Sequence, residues 1–352
     1  MSTEILLVTS GKHFIGQSRK PWVSIDTAKF VDELEKYGYR VLEKQFHHLG
    51  QANPPIANQF IFYTFSQRQH LRAYIKDIML SLSETNTIIP SLDLLYCHEN
   101  KGFAELYKKR LGILEPRSWY LSEAEEVDSY PITYPIVLKT TSGSNGKGVY
   151  LCKNASVLKK RITALSPGLS LLEKIDLLRR KHLRKYKRFD GYPGFEAKKD
   201  AADWMEYMVP GCAFVLQEFI PALDCDYRVI VVRDRFYVMK RLIKGADFRA
   251  SGTKKFVFEF EVPSSLLDFA RSVYEKFSSP FLSIDIGNAN GKNYLFEFQA
   301  LHFGTAAIVR SKGFYQIRDG GWSFVSQSSD LQQTLAYGLH NFILAGKRDH
   351  GV

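Results

Sequence analysis

A chain of 352 residues, 45% of them hydrophobic and 24% charged, holds apolar material for two or three packed units. That balance excludes a disordered, collagen-like or disulfide-stapled chain. The formal charge of +11 points to polyanionic partners, whether nucleotides, acidic glycans, nucleic acid or an anionic membrane surface, without choosing among them. Cys97, Cys152, Cys212 and Cys225 are scattered and form no Cys-x-x-Cys pair, which excludes zinc-finger spacing and fits a reducing compartment. The ILLV run near the start is too short for a signal-peptide core and no segment is long enough to cross a bilayer, so a cytoplasmic location is expected.

In chain order, EILLV (4 to 8) reads as a buried strand and Ser24 to Lys36 as an amphipathic helix closed by Gly38. GYRVLEKQF and NQFIFYTFS read as strands with the helix HLRAYIKDIMLSLSE behind them, and TIIPSLDLLY (87 to 96) as a return to extended structure. This alternation predicts an open α/β domain over residues 1–97. A helix is expected from Lys101 to Leu111, with Gly112 placed to end it. YPIVLKTT and GVYLCKN are strands with a glycine-rich loop between them, a hairpin rather than a strand–loop–helix unit. Walker and Rossmann phosphate loops are thereby excluded, because each needs a helix directly behind the glycines.

Residues 157 to 208 carry apolar residues at helical spacing and a basic run from Arg179 to Arg188, broken by DGYPGF. The run reads first as a solvated helix face and second as a substrate contact. FVLQEFI (214 to 220) and DYRVIVVRDRFYVMKRLI (226 to 243) are strands, the latter pair turning at Arg233-Asp234. Ser264 to Phe277 is a helix, and residues 281 to 299 form a hairpin turning between Asn288 and Asn293.

Several strands carry charges that need a partner or a ligand, because burying them alone is costly. They are Lys139, Glu218, Asp226, Arg228, Lys240, Arg241, Asp285 and Glu297, with Gln299 two residues further on. Glu297 and Gln299 share a strand face, and a neighbouring strand can bring Asp285 to it. Two carboxylates and an amide oxygen are hard donors suited to Mg2+, with Mn2+ as a substitute. Lysines and glycine-loop amides would hold phosphates, and Arg228 and Arg241 would stabilise a transferring phosphoryl group.

Taken in order over residues 98 to 305, these motifs resemble the ATP-grasp superfamily of carboxylate–amine ligases, in the branch of the ribosomal-protein glutamate ligase and glutathione synthetase. The resemblance implies an N-terminal open α/β domain (1–97) and two α+β subdomains that clasp ATP, one over 98–213 with the glycine lid and basic insertion, the other over 214–352 with the metal site. HENKGF gives Lys101 as the first nucleotide-binding lysine, and PIVLKTTSGSNGKGV gives Lys139 as the second. The mobile lid loop supplies Ser142, Gly143, Ser144, Asn145, Gly146 and Gly148. LQEFI gives Gln217, Glu218, Phe219 and Ile220 for adenine, with Asp226 for ribose. The D-x-R stretch gives Arg228, the later basic position Arg241, and ADFRASG gives Arg249 near the acyl phosphate. SIDIG and FEFQALHFG confer metal roles on Asp285, Glu297 and Gln299. Two positions depart from the family: Gln299 stands where Asn is usual, and His302-Phe303-Gly304 replaces a Pro-Gly.

The activity implied is ATP-dependent and ADP-forming. A carboxylate takes the γ-phosphate as an acyl phosphate, and an amine then displaces phosphate to form an amide or peptide bond. The substrates implied are a small-molecule, peptide or glycan carboxylate and an amine acceptor, with cell-surface glycan or peptide modification as a setting, and a homodimer is compatible with the sequence. Nucleic acid is disfavoured as a partner. The alternatives are a small-molecule kinase on the same fold and a non-catalytic nucleotide- or polyanion-binding protein. The basic insertion is expected to cover the acceptor site and select a larger substrate.

Overall fold

The computed structural model describes residues 3–10, 14–15, 24–64, 69–143, 146–165, 170–183, 186, 196–208, 211–223, 225–242 and 255–349. It divides into two compact units, one of residues 1–118, 142–147 and 220–352, the other of residues 119–141 and 148–219.

The first unit begins with β1 (Glu4–Thr9), a short pair β2 (Phe14–Ile15) and β3 (Ile25–Asp26), and α1 (Thr27–Lys36). The Asp26 carboxylate accepts the Lys29 amide and caps α1. β4 (Arg40–Gln45), α2 (Phe46–Leu49), β5 (Phe60–Tyr63), α3 (Gln69–Leu82) and β6 (Thr87–Ile89) complete a parallel sheet in the order β4-β1-β5-β6. Successive residues of β1 serve opposite faces, as strand geometry requires. Ile5 and Leu7 join one core, while Leu6 and Val8 join another with Ile75 and Met79 of α3. The expected extended stretch 87 to 96 is half helix, because Pro90 ends β6 and α4 (Leu92–Cys97) follows at once. α4 buries Leu94, Leu95 and Cys97 at helical spacing. Lys101–Arg110 forms α5, capped by the Asn100 side chain on the Phe103 amide. It closes where Gly112 turns through a φ of 72°.

β7 (Ser118–Leu121), β8 (Ile136–Thr140), β9 (Val149–Cys152) and, after the helices α6 (Ala155–Leu165), α7 (Leu171–Leu183) and α8 (Ala197–Met208), β10 (Phe214–Glu218) make the sheet β7-β10-β8-β9. β8 and β9 are antiparallel partners, so the expected hairpin is present. The second unit's core is small, with Ile136, Leu138, Phe214 and Leu216 packed on Leu158 and Ile162 of α6.

The chain then returns to the first unit through β11 (Cys225–Val232), β12 (Arg235–Leu242), β13 (Phe256–Val257), α9 (Ser264–Tyr274), β14 (Phe281–Ala289) and β15 (Lys292–Gln299). α10 (Ala306–Arg310), β16 (Phe314–Arg318), β17 (Gly321–Val325) and α11 (Leu331–Asp349) end it. The sheet runs β15-β14-β11-β12-β16-β17, with β13 also on β12. β11 is apolar on both sides: Ile230 and Val232 pack with α11 and β1, while Val229 and Val231 pack with α9 and β14. A strand buried on both faces near its end Val232 can carry polar groups only toward the other end, and there Asp226 and Arg228 stand.

Candidate active site

The register of three strands brings together side chains far apart in sequence. On β11 and β12 Asp226 faces Arg241, and on β11 and β14 Arg228 faces Asp285. Arg228 donates from Nε and Nη2 to the two Asp285 oxygens at 2.8 and 2.9 Å. Arg241 grips Asp226 in the same forked way, at 2.5 and 2.7 Å, and its Nη2 also lies 2.9 Å from Asp285 Oδ2. Such two-pronged pairs are strong and directional.

Burial pushes the Asp226 carboxyl up to about 6, with Arg241 pulling against it and the Asp285 charge adding to it. Burial acts the same way on Asp285, but Arg228 and Arg241 together outweigh it and hold that carboxyl down at about 2. Burial opposes the Arg241 charge as well, and the two aspartates more than offset it, so its proton is held more tightly than usual. The two arginines differ in access: the Arg228 side chain is 18% exposed and that of Arg241 only 6%. Arg228 can therefore reach a ligand, whereas Arg241 is built into the sheet. A Cβ at Gly304 would lie 3.5 Å from Arg228 Nη1, so the His302-Phe303-Gly304 turn passes beside that guanidinium.

Glu297 on β15 faces Asp285 on β14, and the register slips by one residue at this point. Such a bulge re-aims the side chains beside it. The displaced Phe296 ring lies over Gly287, where any Cβ would meet it at 2.1 Å. Beyond the bulge Glu297 and Gln299 share one face, and Gln299 Nε2 is 3.4 Å from Glu297 Oε1. Among the described residues Glu297 forms no ion pair, while the two arginines and two aspartates beside it balance each other. Those five side chains thus sum to one negative charge. Among the described residues no group of three His, Cys, Asp or Glu side chains is placed to hold a metal ion, and the oxygen donors beside one another here are two carboxylates and an amide. Hard oxygens with a surplus negative charge fit a divalent cation such as Mg2+. Glu297 offers a carboxylate whose Oε1 takes a 3.4 Å bond from Gln299, Gln299 offers its amide oxygen, and Asp285 offers oxygens shared with the arginines.

Within the first unit the glycine loop is held at Gly143. Lys101 Nζ donates to the Gly143 carbonyl at 2.5 Å, and the Gly143 amide donates to Glu99 Oε2 at 3.3 Å. Glu99 in turn lies 3.5 Å from Arg72. Glu99 and Arg72 escaped the sequence reading. The signal lay in HENKGF itself, where an acidic residue precedes Lys101 by two positions. Gly143, Gly146 and Gly148 have φ values of 121°, 73° and 73°, a backbone region that suits glycine and few others.

In the second unit Lys139 on β8 lies between Val215 of β10 and Val149 of β9. Gln217 is buried on β10 and Glu218 ends that strand, so Phe219 and Ile220 lie just past the ladder. Ser142 is described beside Gly143, while Ser144, Asn145 and Arg249 lie outside the described residues.

No protein-family model and no curated protein matches this sequence. Solved structures do match its fold. A RimK domain ATP-grasp protein from Sphaerobacter thermophilus superposes with a TM-score of 0.53 at 13% identity, over 97% of this chain and 99% of its own. D-alanine–D-alanine ligase from Bacillus anthracis matches with a TM-score of 0.51 at 12% identity, over 99% of this chain and 100% of its own. The same enzyme complexed with ATP gives 0.50 at 12% identity, over 99% of both chains. The chain has the ATP-grasp fold, as the ordered motifs led one to expect.

Proposed function

We propose that this protein is an ATP-dependent, ADP-forming ligase that joins a carboxylate to an amine through an acyl phosphate. The observation that carries the reading is the forked Arg228–Asp285–Arg241–Asp226 array beside Glu297 on an ATP-grasp fold. Lys101, Lys139 and the amides of Ser142, Gly143, Ser144, Asn145, Gly146 and Gly148 are assigned to the phosphates. The Gln217–Ile220 backbone and Glu218 are assigned to adenine, and Asp226 to ribose. Glu297, Gln299 and Asp285 would hold Mg2+, which when bound neutralises phosphate oxygens.

Arg228 is the more accessible of the two arginines, and it is assigned to the transferring phosphoryl group and the acyl phosphate, where it stabilises developing negative charge. Arg241 holds Asp226 and Asp285 in place and acts as a positioning residue. Arg249 is assigned to the acyl phosphate. The +11 charge favours a carboxylate carried on an anionic molecule.

The test mixes the protein with Mg-ATP, hydroxylamine and pools of carboxylic acids, and measures hydroxamate and ADP. Hydroxylamine replaces the amine, so only the carboxylate has to be found. A hydroxamate from one pool, lost in Lys139→Ala and Glu297→Ala, is the expected result. ADP with a stable phosphoester and no hydroxamate overturns ligation in favour of a kinase. ATP binding without turnover, and with steeply salt-dependent polyanion binding, overturns it in favour of a binding protein.

A further inference from the structure

α7 is an amphipathic helix that faces the wrong way for a core element. Asp176 and Arg180, four residues apart, lie on the side toward α8, where Arg180 pairs with Asp176 at 2.9 Å and with Asp200 at 3.5 Å. The opposite side carries Leu171, Ile175 and Leu178, which are 74%, 51% and 57% exposed. Leu172 and Leu183, at 78% and 58%, are exposed as well but lie round the helix near Asp176, outside this stripe. No residue of α7 is buried. An ordinary solvated helix would turn these sides around, so the apolar stripe costs solvation unless something covers it.

The charges around the stripe say what that occupant is. Lys174 and Lys181 border one edge, Arg179 the other, and neither lysine has a carboxylate partner among the described residues. Arg179 is neutralised only in part, by Asp176, which Arg180 also uses. A second copy of this chain would bring the same cations against these and is disfavoured. The stripe is a ridge along one helix, which suits insertion into a soft surface. Tyr186, just past α7, is 73% exposed, and tyrosine favours the border between water and lipid.

We propose that α7 lies on an anionic phospholipid surface, its leucines in the acyl boundary and its lysines and arginines against the headgroups. Its 13 residues are too few to span a bilayer and enough to lie in its interface. The proposal does not depend on the reaction proposed above.

The test is co-sedimentation of the full chain with vesicles of phosphatidylcholine alone, or with about one third phosphatidylglycerol, at two salt concentrations. Binding to the anionic vesicles, weakened by salt, is expected. The variant Leu171→Gln, Ile175→Gln, Leu178→Gln should bind them at least about tenfold more weakly. These sites are exposed, and an unchanged melting temperature confirms that the variant folds. Lys174→Gln with Lys181→Gln provides an independent reading and should weaken anionic binding alone. Equal binding by the leucine variant would overturn the proposal, since adsorption would then follow net charge only. No binding to anionic vesicles overturns it, and so does a wild-type dimer in sedimentation velocity that the leucine variant abolishes.

Discussion

At Gly148 the φ is 73°, and a Cβ built there would stand 2.0 Å from Thr140 Oγ1 on the facing strand. Gly148→Ala should therefore cost about 1–3 kcal/mol, from left-handed strain and a clash that Thr140 must relieve by turning. Urea unfolding checks this, and Thr140→Ser in the same background should recover part of the loss. A second residue-scale prediction concerns His98, which lies 5.0 Å from the His302 ring and is buried. Burial, helped by the Arg72 and Lys76 charges, lowers its pKa from 6.5 to about 3. Below pH 6.5 the unfolded chain takes up a proton that the folded chain refuses, so stability falls as the pH drops and is steady above that value. Between pH 6.5 and pH 5 the loss should be about 2 kcal/mol, and it should vanish in His98→Gln when the two unfolding curves are subtracted. A glycine-rich loop was legible from composition. That Gly148 faces a threonine hydroxyl, and that Glu99 takes the Gly143 amide, required knowing which strand and which helix lie opposite.

Elements explain why the arginines pair as they do. β11 supplies Asp226 and Arg228 two apart on one face, and its neighbours β12 and β14 each supply the opposite charge in register. Removing one member leaves a buried charge unmatched, so Arg241→Met should destabilise the protein by about 3–5 kcal/mol in urea. Restoring neutrality with Asp226→Asn in the same chain should recover much of it. Among the described residues Glu297 is in no such pair, and Glu297→Gln should leave the unfolding midpoint nearly unchanged. Under the proposed reaction it should lower turnover at least about a hundredfold. Unchanged turnover would remove Glu297 from the site. The alternating pattern of β14 and β15 announced a hairpin with carboxylates on it. The slip beside Asp285 left no trace in the sequence except Gly287, which makes room for Phe296.

At the scale of the molecule, two units with separate apolar cores share one chain that leaves the first and returns to it. Leu138 is fully buried in the second unit's core. Leu138→Ala should cost that unit about 2–5 kcal/mol. Hydrogen exchange is the measurement: amides of β8 and β10 should lose protection while those of β11 and β14 keep theirs. Equal loss in both sheets would show that the units unfold together.

Local pattern was enough for most of the architecture. The apolar runs, the capping Asp26 and Asn100, the helix-ending Gly112 and the glycine-tipped hairpin are each written within a few residues, so their physics is local and the sequence alone determined them. Local pattern missed the helix Leu92–Cys97, taken as extended by reading through Pro90, and assigned no element to β7, α10, β16, β17 or α11. The tertiary structure alone decided that Arg228 meets Asp285 and that Lys101 and Glu99 both hold Gly143. It also decided that α7 turns its leucines outward. Arg228 and Asp285 are 57 residues apart, and Glu99 and Gly143 are 44 apart. Contacts over such distances depend on strand register and helix rotation, which many distant apolar contacts settle together and no short stretch of sequence can encode.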